Sequence, residues 1–284
     1  IVSRNMYPPR VKDMEGDIKL LHSYGWEESE FPDEWVFEFN KYLDGLTVMS
    51  KPVKKIMIDN GVSVPIKVTS LGLDHLDNVK PVELDIETKK YIFLHISSCF
   101  PRKGISVLLN AYGNAFTSSD DVTLIIKTFD NPHNNVLILV DKFKNKFVDY
   151  PDIVLITKEL SDAEIKGLYK ISDCLVAPSF GEGFGLPIGE AMKEELSIIT
   201  TAYGGQRDFC NDKNSWLIDY KFDYADTHFC LPNSVWALPD KEHLKVILQN
   251  LYLSKDHMIQ DKINHAKESI RALSWKVYAE QNIL

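Results

Sequence analysis

Residues 178–192 read PSFGEGFGLPIGEAM. Glycines at 181, 183 and 185 free the backbone for dihedrals that other residues rarely adopt. Pro187 suits the first turn of a helix, where no needed N–H is lost. A loop therefore gives way to a helix near Leu186, with Glu182 in the loop, Glu190 within the first helical turns and seven residues between them. The free N–H groups and partial positive charge of a helix start suit a phosphate around Gly185 and Leu186. The carboxylates suit hydroxyls instead, since each can accept two hydrogen bonds from the vicinal diol of a sugar or a ribose.

Outward from this junction the chain alternates. The strand CLVAP precedes it and SIITT follows its helix, predicted over 187–195. Upstream come the strand YIFLHIS, a helix over 104–116, VTLIIK, a helix over 134–147, IVLI and a helix over 161–171. Apolar strands alternating with helices predict an α/β unit, a Rossmann-like doubly wound parallel sheet covered on both faces. Such sheets bind ligands outside the carboxyl ends of their strands, where SSCFPRKG, KTFDNP, TKELSD and PSFGEGFG all fall. Two glycine motifs fail: G-x-G-x-x-G counted from Gly183 needs Gly at Ile188, and no G-x-x-x-x-G-K-[ST] loop occurs. Dehydrogenase and P-loop readings lose their support.

The 284 residues are 44% hydrophobic and 11% aromatic, enough for about two domains or one large α/β unit. Against 41 acidic residues stand 32 basic ones, a formal charge of −9 that argues against nonspecific binding to nucleic acid. Cys99, Cys174, Cys210 and Cys230 lack metal spacing and read as buried free thiols, with no metal site. No apolar run approaches the roughly 20 residues of a membrane span. IVSRNMYPPR shows neither a signal pattern nor an initiator Met, so the chain reads as a fragment or processed form.

Residues 1–40 are rich in proline and aromatics, with a helix expected from Asp33 to Gly45. Then follow the strand LTVMS, a helix KPVKKIMIDNG closed by Gly61, and a strand in PIKVTSLGLD. The charged stretch 78–89 lacks periodicity and reads as a connection. The expected organisation is a part-domain over 1–77, the connection 78–89, the regular α/β unit 90–253, and helices over 254–284 packing back toward the N-terminal part. Trp26, Trp35 and Phe37 read as packing residues, with an exposed binding surface as the alternative. His95, inside YIFLHIS, reads as a core or rim histidine.

PSFGEGFGLPIGEAM followed by SIITTAYGG resembles the donor-site signature of the retaining glycosyltransferases of family 4. YIFLHISSCFPRKGISVLLNAY resembles the strand, Lys-Gly turn and helix that open that family's nucleotide-sugar domain. ISDCLVAPSF is similar to the strand entering the signature, LTVMSKPVKKIMIDNGVSVPIKVTSLGLDHL to the end of the acceptor domain, and LSWKVYAEQNIL to the closing helix. The resemblance spans most of residues 44–284. It implies a GT-B fold, here with a partial N-terminal acceptor domain lacking its glycine-rich first loop.

The implied activity is metal-independent transfer of a sugar, with retention, from a nucleoside diphosphate donor to a hydroxyl acceptor in polysaccharide, lipopolysaccharide or glycoconjugate synthesis. The donor is a co-substrate and no cofactor is implied. The acceptor would be a glycan, a lipid-linked glycan or a small molecule. The implied location is cytoplasmic, with peripheral association at the inner membrane face left open. By position, Glu182 would bind hydroxyls of the transferred sugar and Glu190 the ribose diol. Gly183, Phe184, Gly185 and Leu186 would line sugar and diphosphate, and Lys103 would neutralise the leaving diphosphate, so that its loss costs turnover more than stability. His22 falls roughly where the family carries a histidine near the donor sugar. Base contacts would come from backbone near Lys158 to Leu160.

Ser97 and Ser98 stand where the family has Gly-Arg, removing one phosphate ligand. Lys127 or Arg102 is expected to supply that charge. Gln206 stands where the family commonly has Glu. A non-catalytic nucleotide-sugar-binding module, or another GT-B enzyme such as an epimerase or phosphorylase, is the alternative.

Overall fold

The computed structural model describes residues 1–254 and 256–282. Ile283 and Leu284, the end of the expected closing helix, lie outside it, as does Lys255.

The N-terminal sheet is parallel throughout, in the order β1 (Val2–Arg4), β2 (Lys19–Tyr24), β3 (Gly45–Val48), β4 (Ile66–Val68). Sequence patterning missed β1 and β2: one has only three residues, and the other buries Leu20, Leu21, Ser23 and Tyr24 without period-2 alternation, because a parallel strand is covered on both faces. The helices α1 (Asp33–Tyr42) and α2 (Lys51–Asp59) cover this sheet. The first stops short of Gly45, which begins β3; the second is capped by Ser50, whose hydroxyl accepts the Val53 N–H. Leu21, Tyr24, Trp26, Phe31, Phe39, Val53 and Met57 form the core, with Trp35 packed against it. Phe37 departs from the expected packing role, being 60% exposed on the outer face of α1.

The second sheet holds β5 (Tyr91–Ile96), β6 (Val122–Lys127), β7 (Asp152–Ile156), β8 (Cys174–Ala177), β9 (Ser197–Thr201) and β10 (Trp216–Ile218), all parallel, in the order β10-β9-β8-β5-β6-β7. This is the Rossmann order, and its direction of winding reverses between β5 and β8. On one face lie α3 (Ile105–Ala115), α4 (Val136–Lys146) and α7 (Lys241–Leu253), around Phe93, Leu124, Leu108 and Leu248. On the other lie α5 (Asp162–Ile171), α6 (Leu186–Lys193) and α8 (Asp256–Ile270), around Leu94, Leu175, Tyr169 and Met192. Burying each such side chain contributes about 1.5–3 kcal/mol.

Thus α8 stays on this second sheet. It is α9 (Trp275–Asn282) that meets the N-terminal strands, with Asn282 bonded to His22 and Thr47. Beyond β9 the sequence reading saw no further strands, yet β10 extends the sheet and β11 (Tyr220–Tyr224) and β12 (Val235–Pro239) pair as an antiparallel arm. Its loop reaches the N-terminal core, where Phe229 packs 4.8 Å from Trp26. All four cysteines are free; Cys99, Cys174 and Cys210 are buried as expected, whereas Cys230, on this loop, is exposed.

Candidate functional site

The winding reversal places the loop after β5 beside the loop after β8. A 3-10 turn over Pro101–Lys103 ends at Gly104, whose φ is +73°; a Cβ there would lie 1.9 Å from the Pro178 carbonyl oxygen. Only glycine permits that approach. The Phe180 N–H donates to the Arg102 carbonyl at 2.7 Å, tying the loops together.

Lys103 therefore meets Glu182. Its Nζ donates to both carboxylate oxygens, at 2.7 and 2.9 Å, and the Ser179 hydroxyl donates to Oε1 at 2.7 Å. Glu182 is 9% exposed. Burial pushes its carboxyl upward, but Lys103, Arg102 and the hydrogen bonds outweigh that, so the net shift is downward. Burial likewise lowers the Lys103 ammonium, opposed chiefly by Glu182. Arg102 donates to the Gly181 carbonyl at 3.2 Å, pairs with Glu27 at 3.3 Å and stands 3.9 Å from Glu182.

Four residues after Glu182 begins α6, where Pro187 has no N–H and the Ile188 and Gly189 N–H groups donate to the Gly185 carbonyl at 3.0 and 3.2 Å, leaving the Leu186 N–H at the helix start. Gly185, at φ +91°, precedes it, and Leu186 opens it. Tyr203-Gly204-Gly205 wraps the loop from outside: the Gly205 N–H donates to the Glu182 carbonyl, and a Cβ at Gly205 would lie 2.0 Å from the Gly183 carbonyl oxygen. Phe184 is buried against Phe209. Gln206 is buried, with Nε2 bonded to Thr200, Thr201 and Tyr203.

Glu190 sits one turn into α6. Tyr169 donates its hydroxyl to Oε2 at 2.6 Å, and His75 Nε2 lies 3.1 Å from Oε1. A carboxylate has about four lone-pair sites, so about two remain. Burial, then the nearby Glu190, drives the Tyr169 hydroxyl well above its usual range, keeping it a donor. Sequence reading missed His75, Tyr169 and Ser179 as site residues. Ser179 stood within the quoted signature and His75 within GLDHL, whereas Tyr169 gave no signal beyond its helix.

The remaining expected residues scatter. Ser98 offers its carbonyl to Asn131, and Leu160 packs against the second core. Lys127 is buried at the end of β6 and donates to the Thr128 carbonyl at 2.6 Å; burial lowers its ammonium. His95 is buried and lowered to about 4 by burial; its Nδ1 meets the Val176 carbonyl at 2.8 Å and its Nε2 the Ser97 hydroxyl at 2.7 Å. His22 is not brought to Lys103 and Glu182: it lies 3.1 Å from Asn282, lining a separate cleft with Asp44 and Lys67. Sequence distance alone placed it, and the neighbouring residues Ser23 and Tyr24 face the larger space instead.

That space is a cavity of about 890 Å³ between the two sheets, bounded by Arg102 and Gly181 on one side, Tyr24 and Glu27 on another, and Phe229 and Trp236 of the arm on a third. Among the described residues no helix is long and apolar enough to cross a membrane.

Comparison with known proteins agrees with this fold. The family model described as glycosyl transferases group 1 matches residues 78–226. Among solved structures, a glycosyltransferase from Rickettsia africae ESF-5 aligns with a TM-score of 0.69 at 20% identity over 93% of this chain and 69% of that one. Sucrose-phosphate synthase from Thermosynechococcus elongatus aligns at 0.71, with 17% identity over 93% and 65%. Anabaena HepE, solved with UDP and glucose, aligns at 0.69, with 16% identity over 93% and 70%. The shared fold is GT-B. No curated protein matches in sequence.

Proposed function

The chain belongs to the glycosyl transferases group 1 family, and from that premise we propose that it is a retaining, metal-independent enzyme of family 4 type. It moves a sugar from a nucleoside diphosphate to a hydroxyl acceptor in polysaccharide or glycoconjugate synthesis, in the cytoplasm or at the inner membrane face. The observation that carries this reading is the Lys103–Glu182 pair, set at the winding reversal above the start of α6.

In this reading the α6 N-terminus and Lys103 receive the diphosphate, and Glu182 binds hydroxyls of the sugar. The two open acceptor positions of Glu190 take the ribose diol. Arg102 replaces the cation lost at Ser97-Ser98, since it already stands 3.9 Å from Glu182 whereas Lys127 is engaged by Thr128. As the bond from the anomeric carbon to the phosphate oxygen breaks, its electron pair passes to the diphosphate, where fixed cations lower the barrier most. The acceptor oxygen bonds to the same face of that carbon, and its proton passes to the leaving phosphate. HepE, with its UDP and glucose, favours a uridine donor.

The test is a thermal-shift panel of UDP, GDP, ADP, TDP and their sugars, followed by donor turnover and the anomeric configuration of the product. A ligand at 100 times its dissociation constant adds about 2.7 kcal/mol. No response to any nucleotide, or an inverted product, contradicts the reading.

A further inference from the structure

The β11–β12 arm has one covered edge and one open edge. Along β12 the outer edge is covered, since the Ala237 N–H donates to the Phe180 carbonyl at 2.9 Å and the Ser29 N–H to the Val235 carbonyl at 3.0 Å. Buried Glu28 fastens the arm further, accepting hydrogen bonds from Thr227 at 2.6 Å and Ser234 at 2.9 Å. Along β11 the outer edge is open. The Asp240 N–H donates to the Asp219 carbonyl at 2.7 Å and the Ala225 N–H to the Ser234 carbonyl at 2.8 Å. Hydrogen-bonded pairs alternate along an antiparallel ladder, so Lys221 and Asp223 turn their backbone groups to β12, and Tyr220, Phe222 and Tyr224 turn theirs outward. The Tyr224 N–H is met by the Asp223 carboxylate at 2.9 Å, but among the described residues no hydrogen bond reaches the backbone N–H or carbonyl of Tyr220 or Phe222.

The sequence of this strand, Tyr220-Lys221-Phe222-Asp223-Tyr224, is complementary to its own reverse. Laid antiparallel on a second copy about Phe222, it sets Lys221 against Asp223, Asp223 against Lys221, and Tyr220 against Tyr224. The outward backbone groups then fall directly opposite one another, as hydrogen-bonded pairs require. Opposite charges and aromatic rings facing each other across strands both stabilise a sheet, and Lys221 and Asp223 are exposed and open to such a contact. On the other face Phe222 is 55% and Tyr224 70% exposed, with the rings of Tyr203 and Tyr220 at 5.3 and 5.4 Å from that of Phe222. A lone lysine on an edge strand discourages pairing. Here Asp223 stands where the lysine of a second copy arrives.

We propose that a second copy of this chain docks on the open edge, pairing β11 with β11 about a twofold axis at Phe222 into a four-stranded antiparallel sheet, β12-β11-β11-β12. Such a contact is isologous and closes at two copies. It goes beyond the proposed function and does not depend on it. The dimer still bears on the site, because Trp236, opposite Asp223 in the ladder, and Phe229 of the same arm line the cavity between the two sheets. Each copy thereby braces the other's arm.

Sedimentation equilibrium at about 0.15 M salt, where distant surface charges are largely screened, tests this. The chain is expected to pass from one copy to two between about 1 μM and 1 mM, the range of a weak association. Lys221→Glu brings two carboxylates together across the axis and Asp223→Lys two ammonium groups, so each is expected to weaken the dimer about tenfold or more. Both positions are exposed, which leaves the folded monomer intact. An equimolar mixture of the two variants restores opposite charges in every pair, as does the double variant, and both are expected to associate like the parent chain. Amide hydrogen exchange over residues 220–224 is expected to slow as concentration rises. A chain that stays monomeric throughout, its aromatic face left to solvent or taken by another ligand such as a glycan, overturns the assignment. So does a dimer that survives both single variants, a mixture that fails to associate, or exchange over residues 220–224 that ignores concentration.

Discussion

Lys103 holds both carboxylate oxygens of Glu182, two residues 79 apart in sequence joined across the point where the sheet changes its direction of winding. The pair is largely buried, with side chains 14% and 10% exposed, so the proposed site also bears on stability. Removing one partner of a buried ion pair leaves an uncompensated charge and costs roughly 3–5 kcal/mol. Lys103→Ala should therefore lower Tm as well as turnover, a stability cost that the sequence reading ranked below the loss of turnover. Turnover is expected to fall about 10²- to 10³-fold, the scale of losing a group that stabilises developing charge. Lys103→Ala combined with Glu182→Gln should recover much of the stability and none of the activity, checked by thermal melts and donor turnover. Recovered activity in the double variant would remove Lys103 from the chemistry.

Glu182 also sets an acid limit. Its folded-state carboxyl lies below the ordinary 4.5, so the pair's contribution is fully present above that value and is lost as pH falls through the lowered one. The Tm difference between the parent chain and Glu182→Gln should shrink below about pH 4.5.

His95 acts in a higher window. The ring is lowered from 6.5 to about 4 by burial, so between these values the unfolded chain binds a proton that the folded chain does not. Stability then rises with pH over that range, by about 3 kcal/mol in total. Melts of His95→Gln between pH 4 and 6.5 should show a flatter slope than the parent. An identical slope would mean that other groups govern the acid side.

The signature loop was legible in the sequence because glycines and Pro187 punctuate it, and five strands of the six-stranded sheet because runs such as YIFLHIS, VTLIIK and CLVAP are mostly apolar. Strands such as β1 and β10, three residues each, are too short to show any period. The partners of Glu190 and Glu28 were illegible for another reason. His75 stands in an irregular crossover, and Thr227 and Ser234 lie about two hundred residues from Glu28, so only the folded chain brings them together.

The arm should be fragile at those contacts. Thr227→Val removes one hydrogen bond to a buried carboxylate, and Ser234→Ala the other; each is expected to cost about 1–3 kcal/mol. Since both act on Glu28, their effects should not add. Faster thiol labelling of exposed Cys230, measured with the Tm, would report loosening of the arm.

Glu190 gives the sharpest separation of donor parts. Its carboxylate is oriented by Tyr169 and His75, and the proposed function gives its free acceptor positions to the ribose hydroxyls. Glu190→Gln replaces one acceptor oxygen by a donor NH₂ and should weaken nucleoside diphosphate binding about tenfold, the worth of a charge-assisted bond. The same substitution should leave a 2′,3′-dideoxy analogue almost unaffected, since that ligand has no diol to lose. Calorimetric titration of both ligands against both chains closes a thermodynamic cycle, whose coupling energy belongs to the carboxylate–diol contact. Equal losses for the two ligands would show Glu190 supporting α6 rather than touching ribose.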